Sequence, residues 1–168
     1  MPQNWNNFFS VSENKAELAL YLSRELVKNT IDELEIVVAG GFEDAQGVQS
    51  TNPTTPLEPL RANHEEADTR VVLHAVHSPC SRVVVSARDT DIFLVLLHHF
   101  KSTKSEECWM MTGTQKTRLF IPIHKVYKSL DPEFVEILLA FHAITGCDVT
   151  SFIAGIGKLP FKEIYYDT

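Results

Sequence analysis

The sequence predicts an α/β fold with a mainly parallel central sheet and flanking helices. Two short β-branched runs, residues 35–39 (EIVVA) and 82–87 (RVVVSA), read as strands covered on both faces. Leu18, Leu22 and Leu26 recur at helical spacing. Strand and helix patterns then alternate along the chain, as they do around a parallel sheet.

Each element has a local reason. Ser12 can cap a helix over 12–28, and Lys28 suits the negative end of its dipole. The run EIVVA is stopped by Gly40-Gly41. Residues 42–60, rich in Pro, Thr, Ser and Asn, read as a loop that is long for a compact domain. Asn63 can cap a helix over 64–77, with Glu66 at the third helical position as in a capping box. Val72 and Val76, with Leu73, place an apolar stripe on it, and Ser78-Pro79 breaks it. After RVVVSA, Asp89-Thr90-Asp91 opens the helix IFLVLLHHF, whose His98-His99 favour the dipole. Residues 109–112 and 118–123 flank the turn Gly113-Thr114 and predict a hairpin. Pro132 stands at the first position of a helix, EFVEILLAFHAIT, that stops at Gly146.

The length, 168 residues, suits one domain with short extensions. No apolar run reaches the roughly 20 residues a membrane span needs, and the start, MPQNWNNFFSVSENK, lacks the pattern of a secretory signal. Cys80, Cys108 and Cys147 are odd in number and share no ligand spacing. They predict reduced thiols without a disulfide-linked partner, in an intracellular protein, nuclear or cytoplasmic. The net charge of −7 arises in residues 1–100, with 14 acidic and 7 basic side chains; residues 101–168 hold 8 of each. That balance excludes a broad basic footprint for nucleic acid. It leaves room for a site in which metal offsets carboxylates.

Acidic clusters end several of the predicted elements: Glu65-Glu66-Ala67-Asp68, Asp89-Thr90-Asp91 and Gly146-Cys147-Asp148. Two like charges about 4 Å apart repel by roughly 4 kcal/mol at an effective dielectric near 20. A divalent cation removes that repulsion. Asp89 and Asp91, two apart in extended backbone, would point the same way and share an ion beyond the carboxyl end of a strand. Hard oxygen donors of this kind favour Mg2+ or Mn2+ over zinc. The competing reading of each residue is local: Asp91 as a helix N-cap, Glu66 as a capping-box partner, Asp148 as a turn residue.

The order Glu66-Ala67-Asp68, helix, strand, Asp89-x-Asp91, helix, Thr145-Gly146-Cys147-Asp148 and Gly155-Ile156-Gly157-Lys158 resembles the flap endonuclease/XPG-like branch of the PIN-like nucleases. More narrowly, HEEADTR, ARDTDIF, LLAFHAITGCD and GIGK are similar to uncharacterised, transposon-associated proteins of invertebrate and fish genomes. The resemblance covers about residues 63–100 and 134–158. It implies a Rossmann-like, PIN-like domain over 35–168, incomplete at its N-terminal side, after an N-terminal helical segment over 1–34. It also implies a C-terminal helix–hairpin–helix-like turn.

By that resemblance, Glu66, Asp68, Asp89, Asp91 and Asp148 are metal ligands, with Asp89, Asp91 and Asp148 catalytic. Helical geometry prefers Glu65 with Asp68, since residues three apart share a face, so Glu65 stays in the set. Gly155, Gly157 and Lys158 would bind nucleic-acid backbone. Lys116 and Arg118, with Lys125 and Lys128, form the nearest approach to a basic stretch, or else a solvated hairpin face. The implied activity is two-metal phosphodiester hydrolysis, on DNA before RNA. The alternative is a catalytically inactive PIN-like domain serving as an interaction or scaffold module. The family's two early metal aspartates have no counterpart here: after EIVVA stand Gly40-Gly41, with only Glu43 and Asp44 nearby. His74 and His77 share a helical face near Cys80 but lack a second ligand pair for zinc. His142 reads as core-facing or satisfied locally.

Overall fold

A computed structural model describes residues 2, 4–29, 31, 33–62 and 67–145, the side chains of 143–145 apart. It divides into two compact units, Met1–His77 and Ser78–Thr168. Helix and strand are mixed, so the α/β class holds in its broad form. The predicted boundary after residue 34 falls inside the first unit.

The first unit opens with a short helix, α1 (Trp5–Phe9), absent from the sequence expectation. Asn4 caps it through Oδ1, which accepts from the amides of Asn6 and Asn7. Helix α2 spans Ser12–Lys28 as predicted, but its cap position is Val11, which has no side-chain acceptor to offer. Ser12 is therefore the first helical residue rather than the cap. The run EIVVA contributes β1 (Val37–Ala39), which pairs antiparallel with β2 (Val48–Ser50) in a two-stranded ribbon. This corrects both the covered parallel strand expected at 35–39 and the loop expected throughout 42–60. Gly40 and Gly41, at φ 85° and 75°, turn the chain after β1. At Gly41 a Cβ would stand 2.4 Å from Ser23 Oγ, so only glycine lets α2 approach this turn. Ser23 Oγ donates to Gly40 O at 3.0 Å.

Helix α3 (Ala67–His77) ends the first unit; Asn63, His64, Glu65 and Glu66, with the predicted capping box, lie outside the described residues. Arg70 on α3 donates from Nη2 to the carbonyls of Ala45 and Ala62, both at 2.9 Å. Two carbonyls of the 42–62 region are thereby tied to a helix.

The second unit holds β3 (Arg82–Ser86), α4 (Thr90–His99), β4 (Glu107–Gly113), β5 (Arg118–Pro122), α5 (Ile123–Ser129) and α6 (Pro132–Thr145). The sheet order is β3-β4-β5, with β3 and β4 parallel and β4 and β5 antiparallel. A mainly parallel sheet is thus not what forms: among the described residues β3–β4 is the one parallel ladder. A β-branched run suits either direction, and the short turn after Gly113 imposes the antiparallel one on β5. At Gly113, with φ 91°, a Cβ would fall 2.1 Å from Thr117 O.

Burial in β3 and β4 alternates with the pleat. Val85, Cys108 and Met110 are buried, whereas Val84 is 51% exposed. Among the described residues one face of the sheet is covered, not both as RVVVSA implied. The core is densest around α4, where Leu94 and Leu97 are each 1% exposed, and at Ile123 of α5, at 0%. Helix α5 was not foreseen, because residues 123–129 lack a distinct apolar period. Helix α6 begins with Pro132 as predicted, and Asp131 Oδ1 accepts from the Glu133 amide at 2.8 Å.

Candidate functional site

The strand-to-helix junction after β3 carries the second acidic cluster. Asp89 is extended, at φ −86° and ψ 136°, and is the N-cap of α4: its Oδ1 accepts from the Asp91 amide at 3.0 Å. Thr90 is already helical, so Asp91 lies in the first turn. The cap therefore belongs to Asp89, not Asp91. The two side chains are not projected together by an extended backbone, as the sequence expectation had it. One carboxylate instead bends over the helix start and ties itself to the other residue's main chain.

Asp91 has a partner from the other end of the unit. His142 Nε2 on α6 lies 2.7 Å from Asp91 Oδ1, with side-chain exposures of 13% and 29%. An ionised carboxylate only accepts hydrogen bonds, so the imidazole donates through Nε2–H. His142 is core-facing as expected, but its partner is distant in sequence rather than local. The signal was its spacing: Val135, Leu138 and His142 share one face of α6, and the first two are 2% and 7% exposed. A histidine on a buried face needs a partner, which the spacing does not name.

Beside this junction is a cleft of about 170 Å3 lined by Arg88, Asp89, Thr90, Phe93, Met110, Thr112 and Ile121. It lies at the carboxyl ends of β3 and β4, where ligands of open α/β sheets bind. A larger cleft, about 340 Å3, belongs to the first unit and is lined by Arg24, Glu43, Asp44 and Arg61 among others. Arg24 pairs with Glu43 at 2.9 Å and Arg61 with Asp44 at 3.7 Å, so its charges largely satisfy each other.

Lys116 and Arg118 are exposed at the β4–β5 hairpin, whose tip stands at the same carboxyl end of β4. Lys125 and Lys128 are exposed on α5, so the basic stretch is divided between two elements. Asp68 is in the first turn of α3, in the first unit. Glu65, Glu66, Asp148, Gly155, Gly157 and Lys158 lie outside the described residues. Among the described residues no group of three or more His, Cys, Asp or Glu is arranged to hold a metal ion.

The remaining candidates have structural environments. His74 on α3 is half-buried, and burial lowers its pKa, with Arg70 and His77 adding to the effect. Cys108 is buried and its thiol is pushed up to about 11 by desolvation. Cys80 and Cys108 are free thiols. No described helix is long and apolar enough to cross a membrane.

No protein-family model matches the chain, and no curated protein or solved structure does so either.

Proposed function

We propose that this chain carries a divalent-metal-dependent nuclease site of PIN-like, flap-endonuclease type, with Asp89 and Asp91 among its ligands. The observation that supports this most is their position at the start of α4, beyond the carboxyl end of the β3–β4 pair. The PIN-like assignment belongs to the same proposal, with the antiparallel β5 as an edge strand of the kind that mixed sheets carry.

The donor set fits a magnesium-like ion, which needs one or two carboxylates, several waters and substrate phosphate. Asp89 and Asp91 would be its carboxylate ligands, and one oxygen of each, Oδ1, is already engaged within the protein. Bound Mg2+ or Mn2+ would supply an activated water and offset charge on the leaving oxygen. The cap bond fixes Asp89. Arg88 at the cleft and Lys116 and Arg118 at the hairpin give positive charge for a nucleic-acid phosphate, DNA before RNA.

A catalytically inactive PIN-like scaffold is the second reading. It is favoured by the contact of His142 with Asp91 and by the absence of a three-ligand group among the described residues. Titration of Mg2+ or Mn2+ into wild type and the D89N/D91N double variant tests the site. Equal affinities would sink the metal assignment. Cleavage of flap, single-stranded or duplex substrates by wild type then separates enzyme from scaffold.

A further inference from the structure

We propose that the outer face of the β3-β4-β5 sheet binds single-stranded DNA, with Phe120 stacking on a base and Lys116 and Arg118 meeting phosphates. The inference goes beyond the carboxylate reading and needs no metal ion.

The pleat sorts the sheet into two faces. Val85, Cys108 and Met110 belong to the buried one. The other parity carries Val84, Trp109 and Pro122 in one row and Ser86, Met111 and Phe120 in the next. On it Val84 is 51% exposed and Phe120 53%. An apolar face left open on a parallel ladder departs from the usual pattern, in which both faces are covered. The cleft that Asp89 lines opens among Met110, Thr112 and Ile121, which have the opposite parity. The two readings can therefore fail separately.

Charge and size say what the face takes. Residues 108–130 hold four basic side chains, Lys116, Arg118, Lys125 and Lys128, and no acidic one, in a chain of net −7. Among the described residues Lys116 and Arg118 make no ion pair, whereas Arg24, Lys28, Arg61, Arg82 and Lys101 each meet a carboxylate. Arg118 stands two positions before Phe120 on β5, on the same face, and its partner in register is Gly113, which has no side chain to cover it. Uncommitted cations beside an exposed ring match the phosphate contact and base stacking that single strands use. Five residues along three strands span roughly 17 Å by 10 Å, well short of the roughly 800 Å2 per partner of a stable protein interface. That extent suits a few nucleotides. Val84, Met111 and Pro122 around the ring offer the apolar contact a thymine methyl takes. Ser86 is the one hydroxyl in those two rows, which leaves little to read a 2′-hydroxyl.

Fluorescence anisotropy in EDTA measures binding of labelled oligo-dT, oligo-rU and duplex DNA, each about 20 nucleotides long, to the full chain and its variants. Thermal unfolding and sedimentation of the protein alone are run alongside. Oligo-dT should bind, oligo-rU more weakly and the duplex, whose bases are already stacked, least. F120A and F120L should each lose about 5- to 150-fold in affinity at an unchanged melting temperature, and F120Y, which keeps a ring, should bind as wild type. K116Q/R118Q should flatten the fall of log affinity with log salt by about 1.4, the slope expected of two phosphate contacts on a single strand. D89N/D91N should bind undiminished. No binding of oligo-dT in EDTA overturns the inference while leaving the metal reading standing. F120L at full affinity also overturns it, because apolar bulk rather than a ring would then suffice. Tighter binding of oligo-rU overturns the assignment to DNA. A dimer dissolved by F120A, in a protein that binds no strand, gives the face to a second copy of the chain instead. Loss of binding in D89N/D91N moves the strand to the carboxylates and overturns the platform.

Discussion

Asp89 carries a local structural role and a proposed functional one, and substitution can separate them. Its Oδ1 accepts from the Asp91 amide at 3.0 Å, one cap bond on the ten-residue helix α4. Losing such a cap costs about 1 kcal/mol. The negative charge at the positive end of the helix dipole contributes about 0.5 kcal/mol more. Alanine removes both terms, about 1.5 kcal/mol. Asparagine keeps the acceptor and loses only the charge, about 0.5 kcal/mol. For a chain of 168 residues, Tm moves about 2–4 °C per kcal/mol. D89A should therefore melt roughly 3–6 °C below wild type and D89N roughly 1–2 °C below. The assay is thermal unfolding by circular dichroism at low salt with EDTA, so that no metal contributes. A D89N protein as unstable as D89A would refute the cap argument, since the oxygen would then matter less than the charge. An unchanged D89A would refute it more directly. If the ordering holds, D89N becomes a folded variant in which lost metal binding reports on the site.

Two further expectations follow from the second unit. Arg82 Nε donates to Glu107 Oε2 at 2.8 Å and Trp109 Nε1 to the same atom at 3.0 Å, and together they hold the Glu107 carboxyl at about 2 against an ordinary 4.5. A depressed carboxyl stabilises the fold above its unfolded pKa, and that contribution is lost as pH falls from about 4.5 through about 2. R82Q should move the Glu107 midpoint upward and start acid unfolding at higher pH; a carboxyl NMR titration giving 4.5 in wild type would contradict this. Of the two described thiols, Cys80 is exposed and Cys108 is buried with its thiol raised to about 11. At pH 8 a disulfide reagent should label Cys80 in the native protein and Cys108 only as the chain unfolds. Equal labelling rates by mass spectrometry would argue against that burial.

The sequence by itself determined what short-range chemistry can encode. Helix α2 follows from the spacing of its leucines, the start of α6 from Asp131-Pro132, and β3 from a β-branched run cut off by acidic residues. A hairpin around Gly113 was legible because glycine there meets a backbone conformation that other residues resist. Asp89 and Asp91 were visible as a pair, but not which would cap the helix, because the choice depends on where extended backbone gives way to helix. Tertiary structure decided the rest. RVVVSA says nothing of whether its neighbour runs parallel or whether both faces will be covered. Likewise EIVVA could not announce that it would pair with β2 inside a polar stretch. The partner of Asp91 lies 51 residues away, on a helix whose part-buried histidine reads from the sequence as core-facing or satisfied locally. Local patterns specify backbone torsions and faces; which polar group meets which across the core depends on how helices and sheet pack, and that exists only once the chain has folded.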